Sequence, residues 1–131
     1  MELRSVEELM DLLYAGRHRH ALRTAALLRR GRPADKELQV AGLVRGIGPV
    51  LCQGSEAERA RAAADAVRAL LGERVFRLVR GDADPGDDDA LRLRQAGEES
   101  RTAGFDAGVL EDWRTVLELV AARHARLGAV D

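Results

Sequence analysis

Apolar residues recur at three- and four-residue steps along almost the whole chain, and each run is bracketed by a helix-capping residue or by glycine and proline. That spacing puts the apolar side chains on one stripe of an α-helix, and no alternation long enough to make a useful strand occurs. The pattern confines the 131 residues to an all-α fold, a compact irregular bundle of about six or seven helices. The length matches one hydrophobic core, so residues 1–131 read as a single domain without repeat, linker or low-complexity segment. Hydrophobic residues at 46% and charged residues at 33% supply both a core and a solvated surface, which excludes disorder.

The helix boundaries follow from the punctuation. Ser5-Val6-Glu7-Glu8 is a capping box opening a first helix that Gly16 can stop. Arg17 to Arg30 carries Ala21, Leu22, Ala25 and Leu28 on one stripe, ends at Gly31 and breaks at Arg32-Pro33. Asp35 caps a third helix burying Leu38, Ala41, Leu43 and Val44, which should end near Gly46, Gly48 or Pro49. Ser55-Glu56-Ala57-Glu58 is a second capping box, and the Ala-rich helix it opens presents Ala60, Ala63, Val67 and Leu70 before Gly72. Val75, Phe76, Leu78 and Val79 suggest a short buried helix. Asp87, Asp88 and Asp89 favour the positive N-terminus of another, running to about Thr102. Leu110, Trp113, Leu117, Val120 and His124 mark the last helix, with Trp113 as its core anchor and Gly128 as its expected end.

Charge and composition narrow the function. The net charge of −1 gives no overall field toward nucleic acid or an anionic membrane. Arg17, Arg19, Arg23, Arg29, Arg30 and Arg32 form the only basic concentration, but they spread over several helix faces and only 3% of the chain is aromatic, so no base-stacking platform accompanies them. The expectation is no nucleic acid and, with no apolar run near the length of a bilayer span, no membrane. Cys52 is the only cysteine, and the chain starts without an apolar signal core, so the expected compartment is the cytoplasm. Cys52 itself reads as a packed thiol. Asp82 to Asp89 raises a calcium-loop pattern, but the positions requiring Gly and Glu hold Asp87 and Leu93, so a solvated helix start accounts for the acids. His18 and His20 are two apart and face different directions on a helix, which excludes a shared metal, and His20 reads as a hydrogen-bonded interior residue beside Ala25.

Two blocks carry a family resemblance. His20-Ala21-Leu22-Arg23-Thr24-Ala25 followed by Glu37-Leu38-Gln39-Val40-Ala41-Gly42-Leu43-Val44-Arg45-Gly46-Ile47-Gly48 resembles the HD-domain metal-dependent phosphohydrolase superfamily, in which a helix His precedes a segment similar to "AALLHDIGHLL". Ala90 to Arg101 and Leu110 to Glu118 resemble the "ALRRWDDAAK" and "LDHWRPLLE" segments of its small members, among them HD-type di-iron oxygenases. The resemblance implies a helical HD fold and a metal centre held by His and Asp. Here the chain departs from the family. His20 matches the first His, but the His-Asp pair is Arg45-Gly46, the best register puts Arg59 and Asp82 at two further His positions, and the final Asp is Gly97 with Glu98 beside it. A guanidinium stays protonated and has no lone pair to donate, and glycine offers no side chain. The family's basic and aromatic substrate-contacting segment is also largely absent, with only Gly81 to Asp89 in its place.

The resemblance therefore implies a site without metal, cofactor or catalytic residue, whose remnant pocket is His20, Arg45, Arg59, Asp82 and Glu98. In one reading Arg45, with Arg59, replaces the metals by an ionic cluster with Asp82 or Glu98 and His20; in the other these charges point to solvent. Three functions stay open. The first is a non-catalytic HD-like domain that binds a protein partner or a second copy of itself through its Ala-rich or C-terminal helices. The second is a small-molecule binder or metal-independent enzyme, with Arg45 and Arg59 facing an anionic ligand and His20 paired with Glu98 for acid/base work. The third is a surviving metalloenzyme whose ligands stand elsewhere.

Overall fold

The computed structural model describes residues 1–16, 18–81, 87–102 and 106–129. Among them the chain is all-α: α1 (Val6–Ala15), α2 (Arg19–Gly31), α3 (Lys36–Val44), a 3-10 turn (Arg45–Ile47), the one-turn α4 (Gly48–Leu51), α5 (Glu56–Leu71), α6 (Glu73–Arg80), α7 (Asp88–Thr102), a second 3-10 turn (Leu110–Trp113) and α8 (Arg114–Ala129). Seven of these helices have eight residues or more, and no strand forms among the described residues. No described helix is long and apolar enough to cross a membrane.

The bundle is arranged around α3. Its run Leu38-Gln39-Val40-Ala41-Gly42-Leu43-Val44 is buried on every side, as expected of a helix apolar around its whole circumference. α3 packs against α2, α6, α7 and α8. Gly42 permits the close approach of α2, because a Cβ there would lie 2.7 Å from Leu28 Cδ1 and 3.1 Å from Thr24 Cγ2. The one polar side chain of the run, Gln39, donates from Nε2 to the carbonyls of Arg32 at 2.8 Å and Pro33 at 3.2 Å. It thereby ties down the α2–α3 turn that proline had interrupted.

Caps fall where expected, with local differences. Ser5 Oγ accepts from the Glu8 amide, but Glu8 reaches back to the amide of Arg4 rather than that of Ser5. Asp35 accepts from Leu38 N, and the Ser55–Glu58 capping box is complete. Asp87 Oδ1 accepts from the amides of Asp89 and Ala90 and so caps α7. α3 ends at Val44, close to Gly46 as expected, and the Gly-Pro corner beyond it forms the separate one-turn α4. Gly48 keeps helical angles (φ −53°, ψ −52°), and Pro49 stands in the first turn of α4, where it has no amide bond to lose. α8 likewise runs past Gly128 to Ala129. Leu70 is only partly covered, and the inward face of α5 takes Ala64, Ala66 and Leu71 with Ala60, Ala63 and Val67.

The acids at the start of α7 do more than sit in water. Arg74 on α6 donates to both Asp35 carboxylate oxygens at 2.7 Å, to Glu37 at 3.2 Å and to Asp89 at 3.0 Å. Arg32 reaches Asp88 at 2.6 Å and Asp89 at 3.2 Å. This network joins the α2–α3 turn, α6 and α7. The Arg74 guanidinium holds the Asp35 carboxyl below its ordinary range, helped by the Leu38 amide. Arg114 pairs with Glu7 and Glu111, fastening α1 to the start of α8. Trp113 is buried at 1% exposure beneath the guanidinium of Arg29, 4.9 Å from the ring centroid.

Candidate functional site

The N-terminal half of α2 packs on one side against the C-terminal half of α7 and on another against the 3-10 turn after α3. His20 lies at the start of α2, and its Nε2–H donates to the carbonyl of Gly97 on α7 at 2.9 Å. One turn on, Thr24 Oγ1 donates to the His20 carbonyl at 2.9 Å and lies 3.0 Å from Ser100 Oγ, which in turn reaches the Gly97 carbonyl at 2.8 Å. Thr24 and Ser100 are buried, with 3% and 0% exposure. The polar pair satisfies itself inside the α2–α7 contact, as buried hydroxyls must.

His20 is exposed, not interior. As the second residue of α2 it sits on the outer side of the first turn, and its ring reaches the edge of α7 at the Gly97 carbonyl, while Ala21 and Leu22 beside it enter the core. His18 is half-buried and stacks edge-on against Tyr14, with ring centroids 5.9 Å apart. Arg45 is half-buried on the 3-10 turn, and burial is the leading influence pushing its pKa down, with the field of Glu56 opposing and that of Arg94 assisting. It makes no hydrogen bond or ion pair among the described residues. Glu98 and Arg59 are exposed, and neither is bonded to Arg45 or His20. Asp82 lies outside the described residues, as does Arg17. The structure thus joins positions 20 and 97 but forms no Arg45–Glu98 cluster, and it gives His20 a carbonyl partner instead of the Glu98 carboxylate.

The residues here do not fit a metal centre. His20 Nε2 carries its proton toward Gly97, so that nitrogen offers no lone pair. Arg45 repels a cation, and Gly46 has no side chain to offer one, its Cα standing close enough to α2 that an added Cβ would lie 3.0 Å from Ala21 Cβ. No group of three His, Cys, Asp or Glu suited to a metal occurs among the described residues. Cys52 is half-buried and accepts from the Gly54 amide at 3.3 Å, a packed thiol. Two surface grooves, one lined by Leu3, Leu70 and His124 and one by Arg32, Asp35, Arg74 and Arg123, lie away from His20 and Arg45.

Comparison of the chain with family models, with curated proteins and with solved structures finds no match.

Thr24, Ser100 and Arg94 are the members of this region that sequence reasoning passes over. A threonine set among Ala21, Ala25 and Leu28 was the available signal, since a hydroxyl on a buried stripe requires a partner. Thr24→Val keeps the shape and removes the hydroxyl; urea unfolding should show a loss of about 1 kcal/mol. An unchanged midpoint would mean the Thr24–Ser100 contact contributes nothing.

Proposed function

We propose that this chain is a metal-free, non-catalytic HD-like domain that acts as a binding or interaction module. The observation that carries the reading is the His20–Gly97 contact. It brings together the first and last positions of the family's ligand pattern, on α2 and α7, and links them through a backbone carbonyl in place of a carboxylate and a cation. The order of the two motif blocks and the all-helical bundle agree with it. The Ala-rich side of α5 faces the core and is not a surface for a partner. α8, with Leu119 and Leu127 exposed, is the better candidate for a protein partner or a second copy.

Metal content per chain tests the reading. Protein expressed with added iron and manganese and purified without chelators should hold less than about 0.1 equivalent of either metal. About one or two equivalents, the complement of a working metal site, would overturn it and restore a metalloenzyme.

A further inference from the structure

Five arginines are half-buried among the described residues: Arg23, Arg32, Arg45, Arg74 and Arg114. Three of them, Arg32, Arg74 and Arg114, are matched by carboxylates. The other two are not: Arg23 keeps a buried Nε without a hydrogen-bond partner, and Arg45 has no hydrogen bond or ion pair among the described residues. A guanidinium cannot shed its proton to escape desolvation, as a buried lysine can. The charge at position 45 is therefore held partly out of water with nothing bonded to it among the described residues.

Its backbone is held firmly. The turn Arg45–Ile47 that carries it contacts α1, α2, α3, α4 and α5. Arg94, exposed on α7 one turn before Gly97, adds a second positive field, and it too makes no ion pair among the described residues. Among the described residues the carboxylate whose field reaches Arg45 is that of exposed Glu56, which forms no ion pair with it. We propose that Arg45, with Arg94 beside it, is an oxyanion-binding site that takes the phosphate or carboxylate group of a small ligand. The planar guanidinium presents paired N–H donors that match two oxygens of such a group, and partial burial strengthens each bond. This rests on the reading of the chain as a metal-free binding module, and it names a ligand class for that module.

The test uses the whole chain, with thermal melting and calorimetric titration against inorganic phosphate and citrate, and chloride at matched ionic strength as the reference. The wild-type midpoint should rise with phosphate or citrate concentration by mass action and stay flat in chloride. A response to phosphate alone assigns a phosphate group, and a response to citrate alone a carboxylate. Arg45→Met should abolish the response while melting, without ligand, as high as wild type or a few degrees higher, because an uncompensated charge has been removed. Arg94→Gln, at an exposed position, should weaken binding about tenfold. Absence of any response beyond chloride, or an equal response in Arg45→Met, would overturn the oxyanion site while leaving a metal-free chain metal-free. Uptake of a full equivalent of iron or manganese would overturn both the site and the reading on which it rests.

Discussion

Gly48→Ala should lower stability by about 2–3 kcal/mol and the melting midpoint by about 10 °C. The cause is contact, not conformation, since Gly48 has ordinary helical angles. A Cβ on it would stand 2.8 Å from the carbonyl oxygen of Arg59 and 3.1 Å from that residue's carbonyl carbon. Backbone cannot rotate away as a side-chain tip can, so α4 and α5 would have to separate. Gly97 makes the opposite control. A Cβ there meets nothing within 4 Å, so Gly97→Ala should raise stability by about 0.5–1 kcal/mol. Thermal melting of the two variants side by side checks both, and equal midpoints would remove the claim that α4 is seated directly on the α5 backbone.

Arg74→Ala should cost about 2 kcal/mol at neutral pH. Hydrogen bonds to charged partners contribute about 1.5–3 kcal/mol when sheltered, but the Arg74 side chain is 37% exposed and its pairs are screened in proportion. The effect depends on pH in a known direction. Folding depresses the Asp35 pKa, chiefly through the Arg74 hydrogen bonds. A carboxyl with a depressed folded value stabilises the protein fully above the unfolded value, about pH 4, and that stability is lost as pH falls through the folded value. The gap between wild type and Arg74→Ala should therefore be widest at pH 7 and narrow as pH falls below the unfolded value through the lower folded one. Urea midpoints at pH 7 and at successively lower pH measure it. A gap that does not change with pH would show that Arg74 acts by packing its methylenes and not through Asp35.

Much of the fold is legible in the sequence because helices announce themselves locally. Asp35, Ser55 and Gly72 mark ends that hydrogen bonds within four residues decide, and the stripes of Leu38, Val67 and Leu117 need only periodicity. The failures fall where distant partners decide. α3 stops near Gly46 as its glycines require, but that Gly48 then opens a further helical turn seated against the Arg59 backbone of α5 is set by a distant element. Asp88 and Asp89 look like solvated acids until the fold places Arg32 and Arg74 against them. At the candidate site, position 20 is identifiable from its motif, but its partner is a backbone carbonyl, which no residue type encodes. That Arg45 has no bonded partner among the described residues is invisible in sequence for a related reason, since such an absence is a property of many neighbours at once.

The burial of α3 on all sides bears on how such a chain can diverge. Substitution at Leu38 to Val44 is limited to swaps that conserve volume, because every direction there is already occupied. The outward faces of α2, α5, α7 and α8 have no such restraint of volume, and away from their caps, ion pairs and Arg94 they tolerate wider change. In a distant descendant of this chain, ancestry would remain readable in that one interior run long after the surface had ceased to align.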